Sequence, residues 1–305
     1  MTFSAGVNKN EALEVRKTMK KFMLVGFFLL FFAALVIPQE VSLKLTGGPA
    51  WIDGNDYNSG IAGENEYLED TSFAMSGEYG LLKSGPTVQF EIINSLNRWM
   101  GIGFGGGWYQ MEIESQVITQ SMFSDVPVDY QSTYKAKVSV IPFFLNFHCL
   151  VGVSTKTKLD FYAGPLFQIV QFNFENPSTT SLLSIRRTIT FTASQISLGL
   201  QGGLGIYYKI ASGVALTVEA CYRYGKVRNI KGNWSDLGIS DSGPIAKTSS
   251  DYYMWDYNFA AETGAYQMIG FFSKDAPAGE SISGARKAEV NLSGLTAIAG
   301  VEFSF

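Results

Sequence analysis

The chain carries one histidine, His148, among 305 residues, so chemistry that needs imidazole has a single place to happen. Its two cysteines, Cys149 and Cys221, fall at the end of one expected strand and midway along another. A Cα separation below ~7 Å is therefore not expected, and both read as packing thiols. Asp53, Asn55 and Glu64 stand at positions 1, 3 and 12 of a calcium-loop spacing, but Asn58 replaces the glycine required at position 6 and Tyr57 occupies position 5. A solvated acidic loop is the expectation there, with no metal and no cofactor. Gly101, Gly103, Gly105 and Gly107 repeat at every second residue inside an apolar run with no helix following, which excludes a phosphate-cradling loop. A net charge of −4 offers no basic face for nucleic acid.

The elements that would hold these residues follow from composition and periodicity. Apolar residues make up 46% and charged residues 16%, the latter well under the usual ~25% of a soluble domain. Some of the apolar content is local. Arg16, Lys17, Lys20 and Lys21 precede an uncharged stretch from Phe22 to Ile37, a positive region ahead of a short apolar one, as in an export signal. Residues 1–39 are thus expected to be an N-terminal extension and a cleavable signal helix, the start falling at Met1 or Met19. An uncleaved anchor helix is the alternative. Without five cations (Lys9, Arg16, Lys17, Lys20, Lys21) and two anions (Glu11, Glu14), the charge of the remainder moves from −4 to −7.

Residues 40–305 are organised by a period of two. Val88, Phe90 and Ile92 alternate with Thr87, Gln89 and Glu91, and similar alternation runs through 134–140, 195–204 and 214–220. Strands are expected near 41–52, 85–95, 99–114, 133–148, 158–174, 194–210, 213–228 and 288–305. Connections after the second, fourth and sixth are short. Those after the first, third, fifth and seventh are long, at about 53–84, 115–132, 175–193 and 229–287. This parity predicts an all-β fold, an eight-stranded antiparallel up-and-down transmembrane barrel with short periplasmic turns and long extracellular loops. Aromatic stretches at Tyr252, Tyr253, Trp255, Tyr257, Phe259 and at 266–272 predict a hairpin above the membrane. The alternative is a ninth and tenth strand within it.

Hydrocarbon offers no hydrogen bonds, so a spanning sheet must close on itself. Its outward side chains meet lipid, and eight strands leave an interior filled by side chains. Expected lumen-facing polar residues are Gln89, Glu91, Lys135, Lys137, Gln201, Glu219, Arg223 and Glu302, with either an ion-paired plug or a gated narrow pore as the result. Interfacial aromatics are expected at Trp99, Phe147, Phe161, Tyr207, Tyr208, Phe303 and Phe305 on one rim. Trp51, Trp108, Tyr109, Tyr134, Phe172 and Tyr224 are expected on the other.

The last residues place Val301, Phe303 and Phe305 at alternate positions, ending in an aromatic. This ending resembles the C-terminal assembly signal of bacterial outer-membrane barrels. With the export segment and the strand layout, residues 41–305 resemble small barrels of the OmpA/OmpX/OmpW type. The resemblance implies an outer-membrane location, contact with outer-membrane lipid, and handling by periplasmic chaperones and the barrel-assembly machinery. Unlike OmpA, the sequence stops with the barrel, so cell-wall anchoring is not expected. A rigid barrel displays its long loops outside the cell, so the expected role is structural or one of surface interaction through those loops, where an extracellular ligand could bind. A narrow channel for ions or for small or apolar solutes is the alternative, and a lipid-modifying enzyme a third reading. Enzymatic barrels of this kind set a His with a Ser or Asp near the outer leaflet. His148, beside Phe147 and Cys149, is expected at the periplasmic interface instead, so no catalytic residue is assigned.

Overall fold

The computed structural model describes residues 40–305 apart from 73, 124–125, 182–185, 239–244, 259–264 and 273–274. The expected export segment 1–39 and Phe259 lie outside the described residues. Eight strands form a closed antiparallel ring: β1 (Glu40–Trp51), β3 (Ser84–Asn97), β4 (Met100–Phe123), β5 (Val126–Gly152), β6 (Thr157–Thr180), β7 (Arg186–Ala211), β8 (Val214–Arg228) and β14 (Gly294–Ser304). Pairing of β7 with β8 and of β14 with β1 closes the circle, so every expected strand is present in the expected order. No described helix is long and apolar enough to cross a membrane.

The connections differ from expectation in an instructive way. Segments 115–132 and 175–193, expected as loops, continue largely as paired strand. β4 to β7 reach 24 to 27 residues, more than twice the ~9–11 that a tilted strand needs to span a bilayer. Towards and just past the expected strand ends the outward residues become Glu112, Glu114, Gln116, Gln171, Asn173 and Glu175. Pairing continues past the point where lipid-grade hydrophobicity stops, which is why the strands read as ended.

The two long connections fold into a cap at the end away from the short turns. The first forms helix α1 (Asp56–Thr71) and strand β2 (Ala74–Ser76), which pairs with β4. Tyr57, Ile61, Glu64 and Leu68 recur at helical spacing along one face, with Tyr57 and Ile61 fully buried. Gly63 lets that helix lie directly on the sheet, since a Cβ there would stand 2.0 Å from the Gln267 carbonyl oxygen. The second connection supplies β9 (Lys231–Gly238), β10 (Ile245–Asn258), β11 (Ala265–Phe272), β12 (Ile282–Lys287) and β13 (Glu289–Asn291). β9 pairs with the part of β7 above its contact with β8, and β10 joins β9, β11 and β12. β10 and β11 are therefore a hairpin outside the ring of eight, and the ten-strand alternative is not realised.

Burial shows two zones of opposite polarity. In the lower zone the outer surface is apolar. Val88, Phe90, Ile92, Ile141, Phe147, Phe161, Leu198, Leu200 and Val218 are exposed there, while Lys44, Glu91, Asn146, His148, Asp160 and Glu219 are buried inside. In the upper zone the interior is apolar, with Met111, Val138, Val140, Val170, Phe172 and Phe191 fully buried beneath Tyr57 and Ile61. The reversal falls at one level, where the register aligns Tyr109 with Val140 and Val140 with Val170. On β5 the outward residues below that level run from Ile141 to Phe147 and above it from Ser139 to Lys135. The lower zone has the apolar outside and polar inside of a membrane-embedded barrel. The upper zone is packed like a water-soluble barrel.

Candidate functional site

The lower lumen is built around Lys44, whose position follows from β1. Val41, Leu43 and Leu45 alternate with Ser42, Lys44 and Thr46, so the belt takes the first set and the lumen the second. The Lys44 ammonium lies 2.6 Å from Glu91 Oε2 and 3.0 Å from Glu219 Oε1, with all three side chains almost wholly buried. The Tyr162 ring stands 5.1 Å beneath the charge. Asn146 donates to Glu91 Oε1 at 2.7 Å, and Gln201 donates to Asn146 at 2.9 Å. Tyr162 and Thr217 donate to Glu219 at 3.0 and 2.9 Å. Isolated charges in such a space would be expensive; here each carboxylate has a cation and several donors.

His148 joins this network and is not interfacial. Its side chain is fully buried, with Nδ1 2.8 Å from Asp160 Oδ2 and Nε2 3.0 Å from Glu91 Oε1. The periplasmic depth expected from sequence fits its pairing with Gly101 and Tyr162, but the side chain points inward while Phe147 and Cys149 point out. A neutral imidazole has one N–H, so filling both contacts takes one further proton, on the ring or on a carboxyl. Gly103 makes the room: a Cβ there would stand 2.3 Å from Glu91 Oε1 and 2.5 Å from His148 Nε2. A cavity of about 10 Å³ remains among Lys44, Gln89, Asn146 and Tyr162, space for about one water.

Of the residues expected in the lumen, Gln89, Glu91, Gln201, Glu219 and Arg223 point inward. Arg223 lies at the level where polarity reverses, its guanidinium 5.0 Å from the Tyr109 ring centre. Glu302 lines an open cup of about 220 Å³ at the end bearing the short turns, with Lys156, Lys158, Lys209 and Tyr207. Lys135 and Lys137 are a correction. Both face outward in the upper zone, 2.9 Å from Glu114 and 3.5 Å from Glu112 respectively, because Ala136 and Val138 on the same strand fill the dry interior. The outer face meets water at that height, so the apolar set belongs inside and the charged set outside.

The aromatic rims are corrected in the same way. Trp99, Phe147, Phe161, Tyr208 and Phe305 are exposed on the lower rim, and Trp51, Trp108 and Tyr224 on the upper. Tyr207 and Tyr109 instead turn into the lumen, and Phe172 is fully buried in the upper core. Tyr134 stacks against Phe174 inside the barrel. Val301 and Phe303 are half-buried near the end of β14.

The acidic segment from Asp53 is not a solvated loop. Residues 56–71 are helical, so Glu64 sits two turns into α1 and no twelve-residue loop returns it to Asp53. Asp56 is buried; Arg286 donates to its Oδ1 at 2.7 Å and the Glu289 backbone N–H to its Oδ2 at 2.8 Å. That ties α1 to β12 and β13. No cluster of His, Cys, Asp and Glu among the described residues could hold a metal ion, and both cysteines are unbridged. Among the loop aromatics, Tyr252 and Tyr253 are buried, and the half-buried Tyr257 packs edge-on against Tyr67 at 5.7 Å. Trp255 is half-buried.

A closed ring of eight tilted strands with an apolar belt, a polar lumen and a folded cap at one end defines an outer-membrane β-barrel. No protein-family profile and no curated protein matches the chain. Solved structures of similar shape include the outer membrane protein OprG from Pseudomonas aeruginosa, at 11% identity and TM-score 0.37 over 87% of this chain and 95% of that one. A major outer membrane protein from Thermus thermophilus gives 11% and 0.37 over 87% and 98%. The outer membrane protease OmpT from Escherichia coli gives 10% and 0.31 over 88% and 98%. Such distant likenesses say nothing about role.

Proposed function

We propose that the chain is a sealed outer-membrane barrel whose work is done at its extracellular cap, as a structural and surface-interaction protein. The observation that carries this reading is the pair of seals set in series along the axis. Below, Lys44, Glu91, Glu219, His148 and Asp160 fill the lumen with ion-paired and hydrogen-bonded side chains. Above, the apolar set from Met111 to Phe172 closes it again under α1. An ion crossing the lower seal would enter a core lined mainly by apolar side chains, and burying even a single unpaired polar group there costs several kcal/mol. The second reading, a narrow channel, draws on the polar lower lumen and must displace the upper core.

Planar-bilayer recording separates the two. The folded full chain is expected to give no discrete steps, and Lys44→Ser is expected to stay silent because the upper seal remains. Reproducible single-channel steps whose size changes in Lys44→Ser or Glu219→Ser would establish conduction and overturn the sealed reading.

A further inference from the structure

The cap holds a half-open cavity whose chemistry the barrel itself does not use. It has a volume of about 290 Å³ and lies between α1 and the upper parts of β5, β6, β7, β9, β10 and β11. Its lining includes a set of near-parallel rings, of which Phe174, Phe191 and Tyr252 are buried against one another while Tyr134 is half-exposed, as is Trp234. Phe174 stacks on Phe191 at 6.1 Å and 13°, and on Tyr252 at 6.1 Å and 28°. Tyr134 continues the stack at 6.4 Å and 20°. Trp234, Ile189 and Ile269 complete the walls. The polar groups in the lining are Glu64, Glu175, Asn176 and Arg187.

The charge balance of this lining is uneven. Among the described residues of the lining Arg187 is the one cation, and Asp236 already holds that guanidinium through contacts of 2.6 to 3.0 Å. Glu64 faces the ring set with no hydrogen bond or ion pair to any described residue. Burial without a cation pushes its carboxyl up to about 7. The phenols of Tyr57, Tyr79, Tyr134 and Tyr252 all feel its charge. Of the other elements packed on α1, β2 carries no titratable group, β11 brings Tyr266, bonded to Asp70, and β13 brings Glu289, ion-paired with Lys226 and Arg228.

We propose that this cavity binds a small organic cation, a tertiary or quaternary ammonium head set against the aromatic rings with the Glu64 carboxylate as its counter-ion. Ring faces attract an alkylated ammonium, whose spread charge sheds water more readily than a metal ion, and a carboxylate supplies the charge that rings alone lack. An anion would meet Glu64 and Glu175, and a neutral apolar ligand would leave Glu64 without a partner. The site deepens the surface-interaction role and rests on it only for the direction the cavity faces.

Calorimetric titration of the detergent-folded full chain with choline, against its uncharged isostere 3,3-dimethyl-1-butanol, tests the site. Choline is expected to bind and the alcohol not to. Binding requires the ionised carboxyl, so affinity should be about tenfold weaker at pH 6 than at pH 8 for a group titrating near 7. Glu64→Gln should lose at least tenfold in affinity at pH 8 and abolish the pH dependence. Trp234→Leu should weaken binding at both pH values while keeping their ratio, and it serves if the first variant does not fold. Equal binding of alcohol and choline, or parental binding by Glu64→Gln, would overturn the proposal.

A membrane-impermeant maleimide on intact cells, with Glu66→Cys in α1 and the parent as control, tests the direction separately. Labelling without choline binding rejects the site and leaves the surface role. Choline binding without labelling rejects the surface role and leaves the site.

Discussion

Lys44 holds two carboxylates that would otherwise face one another in a dry space, Glu91 at 2.6 Å and Glu219 at 3.0 Å. A buried charge pair adds little relative to apolar packing, but removing one partner leaves the other uncompensated, at a cost of about 3–5 kcal/mol. Lys44→Met is therefore expected to lower sharply the temperature at which the folded gel band converts to the unfolded one. Adding Glu91→Gln and Glu219→Gln should restore most of the loss. An unchanged transition in the single variant would mean that the network is hydrated and contributes nothing. Much of this cluster was legible from alternation: Thr87, Gln89 and Glu91 against Val88, Phe90 and Ile92 placed Glu91 inside. The same reading applied to 41–46 would have found Lys44, and applied to 159–162 would have found Asp160. His148 was missed because its neighbours Phe147 and Cys149 are outward residues, and an interfacial reading borrowed their environment.

At the scale of elements, the cap was the least legible part. Gly60 and Gly63 argue against a helix over 56–71, yet Tyr57, Ile61, Glu64 and Leu68 fall on one face, and Gly63 is needed for contact with β11. Lys135 and Lys137 fail for a different reason. Period two says that alternate residues face opposite ways, but which way depends on whether the outside is lipid or water, and that changes partway along β5. Glu64 gives the cap a pH dependence of definite sign. Its carboxyl is raised in the fold from 4.5 to about 7, so between those values the folded state binds more protons than the unfolded one. Cap stability should fall as pH rises through that window and be flat on either side. Urea unfolding followed by tryptophan fluorescence should show the midpoint falling between pH 5 and pH 8 in the parent and less so in Glu64→Gln. Identical profiles in the two proteins would show that Glu64 titrates as a solvated acid.

The whole molecule is two barrels in one continuous sheet, divided by the solvent around them. Below the level of Tyr109, Val140 and Val170 the chain has a greasy outside and a polar inside; above it, the reverse. Ring closure and strand order were readable, because lipid imposes them on every strand, whereas two of the four connections expected to be long, 115–132 and 175–193, are mostly strand. The inversion was not, because a sequence shows alternation without showing where the membrane ends. Spin labels placed singly along the outward face of β5, at Lys135, Lys137, Ser139, Ile141, Phe143, Leu145 and Phe147, test it most directly in reconstituted bilayers. Collision rates with oxygen and with a water-soluble nickel chelate should exchange dominance between Ser139 and Ile141, nickel prevailing from 135 to 139 and oxygen from 141 to 147. Oxygen dominance along the whole series, or nickel dominance below Ile141, would contradict the account.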